Sequence, residues 1–309
     1  MSEVKMRILV TGGAGFIGSH IVEHFQGKAE VRVLDNLRSG HKRNLDGFKV
    51  EFMNGSILDR SAVKEAVKGV DYIFHMAAMI SVPESMMKPV ECVQLNTEGT
   101  IIVLEEAAAA GVKKLCFSTS AAIYGDNPVV PKIETMYPEP KSPYAVTKLD
   151  GEYYCGIFTA EKKLQTACLR YFNVFGPRQD PKSAYAAAVP IFTAKAVANE
   201  NITIFGDGDQ TRDFVFVKDV VAANVFMSEK DFTGVYNVAY GKRITINDLV
   251  RMIKEITGSS SKVEHKPERA GDIKHSIACI DKLLSTGFKP GSDFMKGLSA
   301  TIEFFKNLK

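Results

Sequence analysis

The stretch TGGAGFIGSH, residues 11–20, decides the fold. Three of its glycines are spaced three apart, and residues 13–18 also follow the pattern G-x-G-x-x-G. Glycine destabilises a helix by roughly 1 kcal/mol per residue relative to alanine, so the chain must need a bare backbone here. The apolar run MRILV precedes the stretch, and helical spacing follows from residue 19. It is therefore predicted to be a strand-to-helix turn, where a pyrophosphate can approach the backbone and the helix N–H groups. A glycine-rich turn without a ligand is the alternative.

A carboxylate follows at the distance that such a nucleotide site requires. The second apolar run, VRVLD, ends at Asp35, 20 residues after Gly15. An acidic residue there accepts hydrogen bonds from the adenosine ribose and repels a 2′-phosphate, which predicts NAD rather than NADP as the cofactor. Arg38 and the basic run SGHKR complicate this choice, and we interpret them as a solvated loop.

The first half of the chain alternates strand-like and helix-like segments. Strands are predicted at residues 6–11, 30–34, 50–53, 71–75, 114–119 and 165–171, with helices between them that include 62–67 and 90–111. This alternation predicts an α/β fold with a Rossmann-type, doubly wound parallel sheet, whose ligands bind beyond the carboxyl ends of the strands. We predict an NAD-binding domain over 1–173, with 213–240 returning to it, and a smaller C-terminal substrate-binding α/β lobe over 174–309.

Composition and charge argue against several classes of protein. The 309 residues carry a net charge of +3, too small to indicate nucleic-acid or membrane binding, and no apolar run approaches membrane-spanning length. Because MSEVKMRILV leads directly into the first strand, no signal peptide is expected and the protein is expected to be cytoplasmic. No metal site is expected, since the cysteines lack metal-ligand spacing and are interpreted as reduced, mostly buried thiols. They are Cys92, Cys116, Cys155, Cys168 and Cys279.

The segment SPYAVTKLDGEYY, residues 142–154, carries the predicted chemistry. Tyr144 and Lys148 lie four apart, which stacks them on one face of a helix that starts near Pro143. An ammonium group near a phenol stabilises the phenolate, so a tyrosine with an ordinary pKa of about 10 can act as a base. Ser120 lies at a predicted strand end, where its hydroxyl can face the substrate. A partly exposed helical pair and an ordinary turn serine are the alternatives.

Several motifs together resemble a known family. TGGAGFIG, Asp35, FSTSAAIYG and YAVTK are similar to extended short-chain dehydrogenase/reductases, in particular NAD-dependent UDP-hexose and UDP-N-acetylhexosamine 4-epimerases. The resemblance covers essentially the whole chain, including LRYFNVFGPRQDP (169–181), IFGDGDQTRDFVFVKDV (204–220) and PERAGDIKHS (267–276). It implies an isomerase that passes the 4-hydride of a UDP-sugar to NAD and back through a transient 4-keto sugar, with no net redox change.

The resemblance assigns roles to the three catalytic candidates. Tyr144 would take the proton of the sugar 4-hydroxyl, and Ser120 would hydrogen-bond to the 4-oxygen. Lys148 would hold the nicotinamide ribose and lower the pKa of the tyrosine. The 4-keto sugar would then swing about its pyrophosphate link, so the UDP must stay anchored while the sugar turns.

Two sets of contact residues are also implied. The cofactor would be held by Gly12, Gly15, Phe16, Ile17, Gly18, Asp35, Asn36, Ser39, Gly40, Ser56, Ile57, Met76, Ala77, Ala78, Met79, Asn96, Tyr144, Lys148, Tyr171 and Phe172. The UDP-sugar would contact Ser81, Ser120, Tyr144, Asn173, Gln179, Ala188, Val189, Thr203, Phe205, Arg212, Arg269, Asp272 and Ser276. Asn173, Arg212 and Arg269 would grip the diphosphate, where arginine suits bidentate hydrogen bonding. Thr203 and Asp272 would lie nearer the nucleoside, with Phe205 beside the uracil.

Departures from the family pattern narrow the expected activity. Related 4,6-dehydratases carry an Asp-Glu pair where this chain has Ala121–Ala122, which argues against a dehydratase and also against a decarboxylase. UDP-glucose epimerases often have a lysine at the position of Ile80. Glucose-only enzymes often have a bulky residue at the position of Ser276, and serine leaves room for an N-acetyl group. The expected substrates are therefore UDP-GlcNAc and UDP-GalNAc, with UDP-Glc and UDP-Gal as further candidates.

The sequence leaves two alternative functions open, and the resemblance implies a second copy of the chain as a partner. A sugar-nucleotide reductase or dehydrogenase would share nearly every motif, and a non-catalytic NAD-binding regulator could use the same fold. The family usually forms homodimers through a four-helix bundle, for which the candidates here are residues 91–110 and 144–161. Their apolar residues could equally be ordinary core. These residues include Val103, Leu104, Tyr154, Ile157 and Phe158.

Overall fold

The computed structural model describes residues 6–181, 187–268 and 274–308. By its internal contacts the chain divides into two units. The first consists of Met1–Gly125, Tyr137–Arg170 and Val221–Tyr236, and the second of Asp126–Met136, Tyr171–Val220 and Asn237–Lys309. Within the described ranges, no helix combines the length and the apolar composition needed to cross a membrane.

The strands and helices are numbered along the chain. The strands are β1 Arg7–Thr11, β2 Glu30–Asp35, β3 Glu51–Asn54, β4 Tyr72–His75, β5 Lys114–Ser120, β6 Gln165–Tyr171, β7 Asn173–Phe175, β8 Ile202–Phe205, β9 Thr211–Arg212, β10 Phe214–Phe216, β11 Gly234–Val238, β12 Ile244–Thr245 and β13 Val263–Lys266. The helices are α1 Phe16–His24, α2 Arg60–Ala66, α3 Val82–Met87, α4 Pro89–Val93, α5 Gly99–Ala109, α6 Pro143–Ala160, α7 Ala188–Ala198, α8 Val217–Glu229, α9 Ile246–Thr257, α10 Asp281–Leu284 and α11 Phe294–Lys306.

The central sheet has seven strands in the order β3-β2-β1-β4-β5-β6-β11. The pairs from β3 through β5 are parallel. Because the chain moves outward from β1 to β3 and then returns to place β4 on the other side of β1, the strand order reverses between β1 and β4. Such a reversal opens a crevice at the carboxyl ends of the two strands, which is where doubly wound sheets bind nucleotides.

Burial explains why these segments form strands. Ile8, Leu9 and Val10 of β1 are fully buried, as expected for a strand covered on both faces by helices. Leu9 belongs to a core cluster that also contains Ile73 of β4 and Leu115 of β5. Burying side chains of this kind contributes about 1.5–3 kcal/mol each. The Rossmann-type fold and the six strands predicted in the first half of the chain are therefore confirmed.

The helix predicted over residues 90–111 is interrupted in the structure. Helix α4 ends at Val93, a π-helical turn spans Gln94–Glu98, and α5 begins at Gly99. The close contact between Gly99 and Ile57 shows how tightly this segment packs, since a Cβ on Gly99 would lie 2.7 Å from the Ile57 Cδ1 atom. Inserted π-turns often mark functional sites, and this turn contains Asn96.

The second unit has its own apolar core. Parallel β7 and β10 pair with each other, as do parallel β8 and β13, while β9 and β12 pair in antiparallel fashion. Phe175, Phe214 and Phe294 come from three distant segments and form part of one buried cluster. Their ring centroids lie 5.3 Å apart for Phe175 and Phe294, and 6.5 Å apart for Phe214 and Phe294.

Candidate active site

The glycine turn after β1 is built so that no side chain fits. Gly12 has a φ of +69°, and a Cβ on this residue would lie 2.7 Å from the main-chain nitrogen of Ala77. A Cβ on Gly18 would lie 2.3 Å from the carbonyl oxygen of Gly12. Helix α1 starts directly afterwards, with Gly15 at its N-cap and no side chain capping it. Phe16, Ile17 and Gly18 therefore present their first-turn N–H groups at the crevice, as a pyrophosphate site requires.

Asp35 closes the same turn from the end of β2. Its buried carboxylate accepts hydrogen bonds from the main-chain N–H groups of Ala14 at 2.9 Å and Leu37 at 2.7 Å. Burial raises the pKa of Asp35, and these two hydrogen bonds act in the opposite direction. The following loop packs directly on the turn, because a Cβ on Gly40 would lie 2.8 Å from the carbonyl carbon of Ala14. The donor groups, the bare backbone and the carboxylate together fit the pyrophosphate and ribose of NAD.

Arg38 lies in an exposed loop, as the sequence suggested, but its charge is paired. Its guanidinium contacts Glu84 at 2.8 Å and Glu91 at 2.6 Å, and its side chain is 29% exposed. Asn36, a predicted cofactor residue, orders this turn because its Oδ1 accepts a hydrogen bond from the Arg38 main-chain N–H.

The segment after β4 forms the other wall of the crevice. The Met76 main-chain N–H donates to the Thr11 carbonyl, and the Ala77 N–H donates to the Thr11 hydroxyl. Buried His75 bonds to the Thr11 hydroxyl at 2.6 Å, and burial lowers its pKa to about 3, so the ring is neutral. Met79 exchanges two hydrogen bonds with the Asn96 carboxamide, at 2.7 and 3.1 Å.

The carboxamide of Asn96 forms several hydrogen bonds within the protein. Besides Met79, its Nδ2 donates to the Thr147 hydroxyl on α6 at 3.0 Å. The carboxamide therefore ties the β4 crevice wall to the helix that carries Tyr144. Its predicted contact with the cofactor stays a prediction.

Tyr144 and Lys148 occupy the first two turns of α6. The helix starts cleanly because the Ser142 hydroxyl caps it and Pro143 fills the first position. The Tyr144 main-chain N–H donates to the Ser85 hydroxyl of α3 at 3.2 Å. Lys148 is buried, donates to the Ser118 carbonyl at 2.7 Å, and lies 5.9 Å from the centre of the Tyr144 ring.

Ser120 meets Tyr144 from the end of β5. The Ser120 hydroxyl lies near enough to the Tyr144 hydroxyl to act on the pKa of the tyrosine. The Ser120 hydroxyl also accepts the Ala122 main-chain N–H at 3.1 Å. The structure thus brings the three catalytic candidates together, with Lys148 behind the hydroxyl pair.

The ionisation of the tyrosine and the lysine follows from burial. Burial raises the pKa of Tyr144, while the nearby Ser120 hydroxyl acts to lower it. Burial lowers the pKa of Lys148 to about 8, so the ammonium group remains mostly charged at neutral pH. The chain alone therefore holds Tyr144 as a phenol.

A buried ion pair behind this site was missed from the sequence. Arg170 of β6 binds both carboxylate oxygens of Glu152 on α6, at 2.8 and 2.7 Å, and Thr119 donates to the same carboxylate at 2.8 Å. Arg170 also donates to the Tyr124 hydroxyl at 3.0 Å. Glu152 follows Lys148 by four residues, so helical spacing was the one available signal for it.

The remaining predicted residues of the first unit lie around the same crevice. Ser81 caps α3, where its hydroxyl accepts the Glu84 main-chain N–H at 3.1 Å. Ser56 accepts the Leu58 N–H in the loop after β3. Ile57 is buried and packs on Gly99. Ser39 and Ala78 lie in the loops after β2 and β4.

The second unit contains a cavity of about 420 Å³. Of the predicted substrate residues, those that line it are Asn173, Ala188, Thr203, Phe205 and Arg212. Three side chains of the lining are cationic, Lys195, Arg212 and Lys266, and the described lining contains no carboxylate. Its charge therefore suits an anionic ligand, and the lysines and Gln210 are lining residues that the sequence did not single out.

One edge of β8 faces away from its partner strand. The main-chain N–H group of Ile202 donates to the carbonyl oxygen of Lys262, which precedes β13, and that of Gly206 donates to the carbonyl oxygen of Lys266 at the end of β13. Because alternate residues of a strand face opposite edges, the main-chain groups of Thr203 and Phe205 face the other edge. Both residues line the cavity.

Other predicted substrate residues lie outside this lining. Val189 is buried in the apolar core. Gln179 donates to the Val174 carbonyl at 3.1 Å. The Ser276 main-chain N–H donates to the Thr211 carbonyl at 3.1 Å, which places Ser276 beside β9. Arg269 and Asp272 lie outside the described residues.

Asp213 organises the segment behind Arg212. Its carboxylate accepts main-chain N–H groups of Tyr240 at 2.8 Å, Gly241 at 3.1 Å and Ala278 at 3.1 Å. Burial raises its pKa to about 6 in spite of these hydrogen bonds. Tyr171 and Phe172, predicted to contact the cofactor, lie at the end of β6 and are buried.

Comparisons with known proteins agree with this geometry. Residues 8–239 match the model of the NAD dependent epimerase/dehydratase family. A putative UDP-glucose 4-epimerase of Methanocaldococcus jannaschii is 38% identical, over 97% of this chain and 98% of its own length.

Two solved structures are similar over nearly their whole lengths. One is a UDP-N-acetylglucosamine 4-epimerase from Methanobrevibacter ruminantium in complex with UDP-N-acetylmuramic acid, with 40% identity, 99% of each chain covered and a TM-score of 0.95. The other is a UDP-glucose 4-epimerase from Thermotoga maritima with UDP-glucose, with 41% identity, 98% of this chain and 99% of that chain covered, and a TM-score of 0.93.

Proposed function

The chain belongs to the NAD-dependent epimerase/dehydratase family, and on that premise we propose that it is a UDP-sugar 4-epimerase that interconverts UDP-GlcNAc and UDP-GalNAc and also accepts UDP-Glc and UDP-Gal. One observation carries the proposal. The buried Lys148 ammonium lies 5.9 Å from the centre of the Tyr144 ring and binds the Ser118 carbonyl on the strand that ends at Ser120, and the turn that follows, Ala121–Tyr124, has no carboxylate. The site can therefore exchange a proton with a sugar hydroxyl, while the turn Ala121–Tyr124 supplies no carboxylate as an acid or base for eliminating water.

NAD is the cofactor of this family, and the crevice residues fit it. The glycine turn and the start of α1 would hold the pyrophosphate, and Asp35 would hold the adenosine ribose. Lys148 would bind the nicotinamide ribose. When bound, NAD supplies the acceptor and donor of the 4-hydride.

Tyr144 would serve as the acid and base of the cycle. Its phenolate takes the proton of the sugar 4-hydroxyl, Ser120 holds the 4-oxygen, and the phenol returns the proton after the sugar has turned over. Burial raises the pKa of Tyr144, so the phenolate needs positive charge close by. The Lys148 ammonium supplies part of it, and the charged nicotinamide ring adds to it.

The cavity of the second unit would anchor the UDP while the sugar turns. Arg212 and Asn173 would bind the diphosphate, and the cationic lining balances its charge. The outward edge of β8 offers main-chain groups of Thr203 and Phe205 to the uracil, with the Phe205 ring beside it. Arg269 and Asp272 are expected to join this site.

The proposed acceptance of N-acetylated sugars rests on Ser276. A small side chain at this position would leave room for an acetamido group. Replacing Ser276 with tyrosine should therefore remove activity on UDP-GlcNAc and spare activity on UDP-Glc.

The direct test uses purified protein without added cofactor. It is incubated with UDP-GlcNAc or with UDP-Glc, and the 4-epimers are followed by NMR. We expect both pairs to interconvert, with Ser276→Tyr losing the N-acetylated pair alone. Turnover of plain hexoses only would refute the argument from Ser276.

The same experiment addresses two other functions. Net consumption of added NADH or NADPH with formation of a reduced sugar would indicate a reductase. Nucleotide binding without any sugar turnover, even with added NAD, would indicate a non-catalytic regulator. Intact Tyr144, Lys148 and Ser120 favour the epimerase, because a regulator does not need all three.

We also propose that the protein forms a homodimer through α4–α5 and α6. Val103 and Leu104, considered for the interface from the sequence, are fully buried in the core. Ile157 of α6 is 55% exposed. Val146 and Tyr153 of α6 and Val93 of α4 are exposed as well. Tyr154 and Phe158 pack partly against the core. Light scattering should give twice the monomer mass, and a monomer would refute the proposal.

A further inference from the structure

Arg38 follows the end of the second strand, the region in which NADP enzymes of this fold place an arginine for the 2′-phosphate. It follows β2 by three residues, and the turn between them is ordered. The Leu37 main-chain N–H donates to Asp35 at 2.7 Å, and the Arg38 main-chain N–H donates to Asn36 at 3.1 Å. Arginines near the end of the second strand accommodate the 2′-phosphate of NADP in this fold. The sequence alone therefore leaves Asp35 and Arg38 with opposite preferences.

The structure shows where the charge of Arg38 is directed. Its Nη2 lies 2.8 Å from Oε1 of Glu84 in the first turn of α3, and its Nη1 lies 2.6 Å from Oε1 of Glu91 in α4. Lys88 lies between the two glutamates, with Nζ 3.8 and 3.4 Å from their carboxylates. We call Glu84, Arg38 and Glu91 the arginine clamp.

Both the charge and the geometry of the clamp disfavour the binding of a 2′-phosphate. Its two carboxylates use both terminal nitrogens of the guanidinium, which are the donors that bidentate phosphate binding needs. The charges of Arg38 and Lys88 are balanced by those of Glu84 and Glu91. A phosphate entering beside Asp35 would have to displace the glutamates from Arg38 and then lie among their carboxylates.

We propose that the arginine clamp is a second determinant of NAD selectivity, which works with Asp35 by withholding Arg38 from the 2′-phosphate. The clamp acts on NADP alone, because NAD carries a 2′-hydroxyl that needs no cation. This proposal rests on the cofactor of the family and not on the epimerase reaction, so nucleotide binding tests it independently of sugar turnover.

The test is the ratio of the dissociation constants of NADPH and NADH, measured by titration calorimetry on full-length, nucleotide-free protein. In Glu84→Gln/Glu91→Gln this ratio should fall about tenfold, because two exposed ion pairs no longer compete for Arg38. NADH affinity should stay unchanged. Adding Arg38→Ala to the double variant should restore the original ratio.

A matched control separates the clamp from a general change of charge. Arg251 on α9 lies between Asp248 at 2.9 Å and Glu255 at 3.3 Å, which is the same arrangement of one arginine and two carboxylates. Asp248→Asn/Glu255→Gln removes the same two negative charges and should leave the ratio unchanged.

Three results would overturn the proposal. They are an unchanged ratio in the clamp variant, a gain that persists without Arg38, and an equal gain in the α9 control. Single Glu84→Gln and Glu91→Gln variants, each expected to give about threefold, replace the double variant if it does not fold. Thermal melting provides the check on folding, because Ser85 beside Glu84 holds the Tyr144 main chain.

Discussion

The glycine turn of the first unit and the cavity of the second are both suited to a phosphate, but they are made of different parts. The turn is made of main chain: at Gly12 and Gly18 a single added carbon would collide with backbone atoms. The cavity is made of side chains, with Lys195, Arg212 and Lys266 in its lining. A single substitution in the glycine turn should therefore disrupt the local backbone, whereas substitutions of the cationic side chains in the cavity should weaken ligand binding in graded steps.

The largest effect should separate chemistry from anchoring. Tyr144→Phe removes the phenolic proton acceptor and should lower kcat about a thousandfold, within the range known for general acid–base groups. UDP affinity should be unchanged, because the proposed anchor lies in the other unit. Steady-state kinetics and UDP titration measure the two quantities. More than a tenth of the original kcat would show that Tyr144 is not the base.

The next prediction tests the backbone-built turn. Gly18→Ala places a Cβ 2.3 Å from the Gly12 carbonyl oxygen, and this overpacking should cost about 3 kcal/mol of unfolding free energy. Gly156→Ala on α6 is the matched control, because a Cβ there meets nothing within 4 Å. It should stabilise the helix by up to about 1 kcal/mol. Urea denaturation compares them, and equal effects would contradict the steric argument.

The third prediction tests the cavity made of side chains. Arg212→Ala should weaken UDP binding about tenfold to a hundredfold, as expected for a hydrogen-bonded charge. Arg212→Lys should lose less, because the point charge remains while the bidentate fork is lost. NADH binding should be unchanged in both. If lysine and alanine weaken UDP equally, the charge of Arg212 is not what binds the ligand.

The last prediction concerns the support of Arg212. Burial raises the pKa of Asp213 from its ordinary value of 3.8 to about 6. The folded state therefore binds more protons than the unfolded state between these values, so this group makes stability fall as pH rises from about 4 to 6. Asp213→Asn should remove that component of the slope. Melting temperatures from pH 4 to 7 test it, and parallel curves for the two proteins would refute it.

The comparison also explains which predictions from sequence succeeded. The strand, the glycine turn and helix α1 are neighbours in the chain, so their pattern predicted their structure. The spacing of Tyr144 and Lys148 likewise placed both on one helical face. The helix predicted over 90–111 is present over Pro89–Ala109, but its π-turn at Gln94–Glu98 was not predicted, because such a turn leaves no mark on hydrophobic periodicity. The sequence could not assign Val103 and Leu104 to the core or to an interface, because an apolar helix face fits both equally.

By itself, the sequence determined the six strands of the first half of the chain, the glycine turn with its acidic partner, and the tyrosine–lysine pair. The strands, the glycine turn and the tyrosine–lysine pair depend on residues a few positions apart, whose spacing fixes the direction of each side chain, and Asp35 lies at the end of the next strand. Only the tertiary structure decided which partners the charged side chains pair with. Arg38 and Glu84 are 46 positions apart, and Arg170 and Glu152 are 18 apart. A charged side chain finds its partner through the packing of separate helices and strands, and no local period records which partner that is.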